Sequence, residues 1–161
     1  SQLIRNMGPL GFDLKEYQDK GLLKIISTRP TLFGIESHLV SIYHHVEEFD
    51  PDLIVFDPVT DLIQIGTKIE VRSMLFRIID YLKSQLITIL FTALLSDTNQ
   101  EHNLGMSSLV DNWIRLEPGG SEQDKIYIKI IKIRGMKHSR LKYILDFSEN
   151  GLNIREQKKM M

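Results

Sequence analysis

Residues 53–57 read Leu-Ile-Val-Phe-Asp: four apolar residues and then a carboxylate. A short apolar run of this kind predicts a strand buried on both faces. Asp57 falls at its carboxyl end, where open α/β sheets bind ligands. In a nucleotide-hydrolysing fold, an acid there holds Mg²⁺ through water beside the phosphates. The run therefore has the shape of a Walker B strand. Its usual companion, a G-x-x-x-x-G-K-[ST] loop that cradles phosphates, occurs nowhere in the chain. Gly66-Thr67-Lys68 comes nearest, and it lacks the upstream glycine and has the wrong order.

The surrounding sequence alternates strand and helix. Residues 2–7 read as a helix stopped by Gly8-Pro9, and 12–17 as a short helix ended by Gly21. Leu22 to Ser27 is a strand candidate. From Glu36 to Phe49, apolar Leu39, Ile42, Tyr43, Val46 and Phe49 recur at helical spacing. Between Lys68 and Gln85 the stripe Val71, Met74, Leu75, Ile78, Ile79, Leu82 predicts the strongest helix. Leu86 to Thr92 is a second buried strand, and Ser96 to Asn103 a polar loop. Ser107 and Ser108 then lie in a polar loop leading to a strand at Asn112–Leu116. After the turn Pro118-Gly119-Gly120, residues 125–134 and 142–147 read as an antiparallel pair. The expected fold class is α/β: a mostly parallel sheet flanked by helices, with a C-terminal antiparallel strand pair. Residues 1–155 form that domain in this reading, and 156–161 a frayed basic tail.

Composition narrows the chemistry. The chain has 161 residues, enough for one domain with a real core. It has no cysteine, which excludes disulfides, thiolate metal sites and a Cys nucleophile. A net charge of −1 gives no global electrostatic case for nucleic acid, although Lys125 to Lys142 is dense in cations. No apolar run approaches the roughly 20 residues of a membrane span. A cytoplasmic location is the default expectation. A first residue Ser rather than Met is expected of a processed or truncated chain.

Four segments in this order resemble the KaiC family, the RecA-like ATPases of the circadian clock and their relatives. They are residues 3–25, the strand ending in Asp57, Ser107-Ser108-Leu109-Val110-Asp111-Asn112-Trp113-Ile114, and Lys132-Ile133-Arg134-Gly135-Met136-Lys137-His138-Ser139. The last matches a K-x-R-G-x-x-H signature and is the most specific. The Ser-Ser pair and the Arg-Gly-Met form are most similar to the family's C-terminal ATPase domain. The resemblance implies a RecA-like P-loop NTPase fold. It also implies that this chain is a domain's rear portion, with the P-loop and two catalytic glutamates lying N-terminal to Ser1. Pro58 departs from the small polar residue common there, and it removes a backbone N–H.

Roles follow from that resemblance, each beside a plainer reading. Asp57 is the metal-site candidate, for Mg²⁺; alternatively it caps the turn before Pro58. Lys132 and Arg134 are two apart on a predicted strand, so they share a face with Ile126, Ile128 and Ile130. Two such cations can clamp a γ-phosphate, with Arg134 as the neutralising finger. In the family they act on nucleotide held by the neighbouring subunit. The alternative is protection of an edge strand. His138 is a candidate contact to the same phosphate or a base, or a solvated loop residue. Ser107 and Ser108 match the family's autophosphorylated pair, or are ordinary loop serines. His44, His45, Glu47 and Glu48 fall largely off the apolar stripe and read as a solvated helix face rather than a metal site. Trp113 reads as packing.

The implied cofactors are ATP and Mg²⁺. The implied assembly is a ring, a hexamer, with ATP at subunit interfaces and clock or signalling proteins as partners. The implied activity is an ATPase and serine-threonine autokinase, in which water or a serine hydroxyl attacks the γ-phosphate. Without a P-loop the chain alone is expected to be inactive. The alternative function is a non-catalytic RecA-like interaction or scaffold module. A recombinase-like DNA binder is a poorer third, given the charge.

Overall fold

A computed structural model describes residues 2–28, 34–94, 105–119, 125–148 and 151–156. Contacts divide the chain into two units: Ile26–Leu109, and Ser1–Ile25 together with Val110–Met161.

The Ile26–Leu109 unit is a β-α-β arrangement. Helix α3 (Ile35–Phe49) ends at Asp50, whose backbone turns left-handed and caps Val46. Strand β1 (Leu53–Phe56) follows. A 3₁₀ turn (Val59–Gln64) leads to α4 (Lys68–Ser84). Thr67 and Glu70 close a reciprocal capping box at the start of α4. Glu70 is consequently held below the ordinary 4.5, chiefly by the Thr67 backbone N–H and then its hydroxyl. Strand β2 (Thr88–Phe91) pairs parallel with β1, with Leu53 opposite Thr88 and Phe56 opposite Phe91. The parallel register requires a crossover, which α4 supplies.

The core forms where the two helical stripes meet one face of this pair. Leu39, Val46, Met74, Ile78, Leu82 and Ile87 are buried together, with Ile54, Phe56 and Ile89 packed on them. The opposite strand face carries Leu53, Val55 and Leu90, each about half exposed.

In the other unit, α1 (Gln2–Met7) runs into a 3₁₀ turn (Gly8–Leu10), and α2 (Leu14–Asp19) is capped by the Asp13 carboxylate. Strands β3 (Asn112–Pro118), β4 (Ile126–Ile133), β5 (Lys142–Ser148) and β6 (Gly151–Glu156) form an antiparallel sheet in sequence order. Cross-strand partners share a face. One face collects Ile114, Leu116, Ile128, Tyr143, Leu145, Phe147, Leu152 and Ile154. Of these, Ile114, Leu116, Phe147, Leu152 and Ile154 are more than half exposed. The other face holds the buried pair Tyr127 and Ile144.

The α/β class holds, and the sheet composition differs from expectation. Among the described residues only β1 and β2 pair parallel, with the long helix α4 as their crossover. The C-terminal antiparallel part has four strands, not two, since short connections there return each strand beside the last. Leu22–Ser27 is not a strand. The Leu22 and Leu23 N–H groups instead donate to the Tyr17 carbonyl, finishing the α2 turn, and Leu22 is 68% exposed. Tail residues 157–161 and the whole of the predicted polar loop 96–103 lie outside the described residues. No described helix is long and apolar enough to cross a membrane.

Candidate nucleotide site and phosphoacceptor segment

Asp57 is the first residue after β1, and it is exposed. Its carboxylate accepts a hydrogen bond from the Thr92 hydroxyl, at the matching end of β2. Thr92 is itself fixed by its N–H to the Phe56 carbonyl (2.9 Å), while its own carbonyl accepts from the Val59 N–H (2.9 Å). The ladder thus places a carboxylate and a hydroxyl together at the carboxyl end of a parallel pair. One carboxylate with open access suits Mg²⁺, which keeps several waters and takes the rest of its shell from phosphates. The donor set is hard oxygen, as that ion requires.

The cations of the signature lie in the antiparallel unit, arranged differently from the expectation. Trp113 pairs with Lys132, but Ile114 pairs with Ile130, so Ile131 is an extra residue in β4. That bulge reverses the alternation. Lys132 therefore lies on the Trp113 face, opposite to Ile130, and the face shared with Ile126, Ile128 and Ile130 is corrected. Arg134 lies beyond β4, in a turn continued by Gly135 at φ +74°.

What joins Lys132 and Arg134 is the segment before β3. The Lys132 ammonium donates to the Val110 carbonyl at 2.8 Å. The Arg134 N–H donates to the Asp111 carbonyl at 2.9 Å, and its guanidinium lies 2.7 Å from the Asp111 carboxylate. Edge protection is an incomplete account of them. β4 is flanked by β3 and β5, although Ile130, Lys132 and Ile133 pair with β3 alone. His138 lies half-buried in the segment that follows the turn.

Ser107 and Ser108 belong to a one-turn helix, α5 (Met106–Leu109), rather than a loop. Met106 and Leu109 are its buried residues and hold it in place. Sequence reasoning missed Arg72. Its guanidinium donates to the Gly105 carbonyl at 3.0 Å and to the Ser108 hydroxyl oxygen at 2.9 Å. The available signal was an arginine next to Val71, the first residue of the apolar stripe of α4. His45 Nδ1 lies 3.7 Å from Glu48 on α3.

The family model for the KaiC ATPase matches residues 1–159. The chain belongs to the KaiC ATPase family. It is 37% identical over 96% of its length to the circadian clock protein KaiC2 of Synechocystis sp.. It is 29% identical to the circadian clock oscillator protein KaiC 1 of the same organism, over 97% of its length. To the circadian clock oscillator protein KaiC of Synechococcus elongatus it is 27% identical, again over 97%. The chain spans less than a third of these KaiC relatives, 28% of the first and 31% of the other two.

Proposed function

We propose that this chain supplies part of a KaiC-type ATPase and autokinase domain: a Mg²⁺-positioning acid, trans-acting cations and a phosphoacceptor pair. Family membership supports the class. The observation that carries the reading is the exposed Asp57 carboxylate at the carboxyl end of a parallel strand, beside Thr92. In the whole protein ATP occupies interfaces between ring subunits, in the cytoplasm. Mg²⁺, when bound, would supply neutralisation of phosphate charge. Asp57 would hold that ion through water. Lys132 and Arg134 project to a neighbour's nucleotide, with His138 nearby in sequence, and Ser107 or Ser108 accepts the phosphoryl group.

The test is Asp57→Asn in the full-length protein. Mg²⁺ affinity in the presence of ATP should fall roughly 10–100-fold, as for groups that act through a metal's outer shell. Unchanged Mg²⁺ dependence would leave Asp57 as a turn cap.

A second reading is a non-catalytic interaction module with clock or signalling partners. It is favoured by the Arg134–Asp111 ion pair, which commits the finger candidate within its own chain. The exposed apolar face of the antiparallel sheet also favours it, because such patches mark interaction surfaces. An ATP-independent pull-down that survives Asp57→Asn would support this reading over the first.

A further inference from the structure

The Gly105 carbonyl is the centre of a small polar clamp. It accepts from the Ser108 N–H (3.1 Å), from the Ser108 hydroxyl (2.8 Å) and from Arg72 Nη1 (3.0 Å). Arg72 Nη2 completes the ring by donating to Ser108 Oγ at 2.9 Å. The guanidinium lies against Gly105 so closely that a Cβ there would stand 1.9 Å from Nη1. It also lies over the Phe76 ring, 5.4 Å from its centroid, which limits its freedom further. A planar cationic fork is thus already aimed at an exposed hydroxyl.

We propose that Arg72 is the receptor for a phosphate on Ser108, so that phosphorylation turns a neutral clamp into a charge-paired one and ties α5 to α4. A phosphoryl group arrives from a nucleoside triphosphate. An O–P bond forms at Ser108 Oγ, the bond to the departing diphosphate breaks, and the hydroxyl proton leaves to solvent. The bond from that hydroxyl to Gly105 is lost. In its place stand acceptor oxygens carrying roughly −1.5 to −2 charge, within reach of a fixed guanidinium. Arg-phosphate pairs of this type are short and often bidentate. The exposed site leaves room for the group, so the gain is not offset by core disruption.

The inference rests on the phosphoacceptor reading only for how the phosphate arrives. Phosphoserine incorporated at position 108 during translation tests it without any kinase activity. Amide exchange of Ser108 is measured in four proteins: with and without the phosphate, each with Arg72 or with Arg72→Gln. The phosphate should slow exchange about tenfold or more with Arg72 present and have little effect with Arg72→Gln. Equal slowing in both backgrounds overturns the proposal. A second readout needs no substitution. The Arg72 guanidinium N–H resonances should move on phosphorylation of Ser108, and unmoved resonances overturn it as well.

Discussion

Lys142 on β5 reaches across β4 to place its ammonium 2.5 Å from the Glu117 carboxylate on β3. On the way it passes 5.9 Å from the Tyr127 ring centroid, so its stem helps cover one of the sheet's buried residues. One side chain therefore links three strands. Its hydrogen bond, more than any other influence, holds Glu117 below the ordinary 4.5. A carboxyl with a lowered folded pKa contributes stability that is complete above its unfolded value and fades as pH falls through the folded one. Glu117→Gln should cost about 0.2–1 kcal/mol at neutral pH, the range of solvent-accessible pairs. The gap to the parent protein should close on acidification below 4.5. Urea unfolding of both proteins across that range measures it. A pH-independent gap would assign the cost to packing.

Gly105 and Gly135 both adopt positive φ, +59° and +74°. Each Gly→Ala variant should lose about 1 kcal/mol from that backbone conformation alone. At Gly135 a Cβ meets nothing within 4 Å, so the loss stops there. At Gly105 the Cβ displaces the Arg72 guanidinium. Arg72 can swing aside, but its two hydrogen bonds go with it. Gly105→Ala should therefore cost more than Gly135→Ala by about 0.5–1.5 kcal/mol per bond lost. Equal losses in urea unfolding would mean that Arg72 holds nothing.

Leu82 has no exposed surface and closes the core between α3, α4 and β2. Leu82→Ala should destabilise the Ile26–Leu109 unit by about 2–5 kcal/mol, transfer and cavity together. Calorimetry or urea unfolding gives the value. A loss under 1 kcal/mol would mean that the helices collapse into the space.

That core was legible because its signal is local. The stripe from Val71 to Leu82 has one period and one buried face, and α4 runs from Lys68 to Ser84 as that period requires. The apolar run before Asp57 marked a strand for the same reason, but its expected burial on both faces is corrected. Leu53 and Val55 are about half exposed, and only the Ile54–Phe56 face packs on the helices. The pairing of later strands was less so. The bulge at Ile131 has no mark in the Ile-Ile-Lys-Ile run that contains it, yet it decides which face Lys132 takes. Strand β6 did have a mark, since Asn150-Gly151 followed by alternating Leu152 and Ile154 is a hairpin signature. Leu22–Ser27 failed in the other direction. Its composition suits a strand, but the α2 turn takes its first backbone donors. Arg72 was invisible because its partners are 33 and 36 residues away. The resemblance found the chemistry-bearing residues, whereas spacing alone would have left Lys132 and Arg134 as edge charges.

Arg134 provides the sharpest division between the two functional readings, because its guanidinium is already 2.7 Å from Asp111. A phosphate finger must leave that carboxylate to act, and it acts on the transition state rather than on bound nucleotide. In the full-length protein, Arg134→Ala should then lower ATP turnover by about 10³-fold while ATP affinity changes little. Asp111→Asn, which releases the arginine, should leave turnover nearly intact. If the pair is structural instead, the two single substitutions should lose the same stability, and the double variant no more than either. Turnover, ATP affinity and thermal midpoint measured on all three variants separate these outcomes. Equal loss of turnover in Asp111→Asn and Arg134→Ala would end the finger assignment.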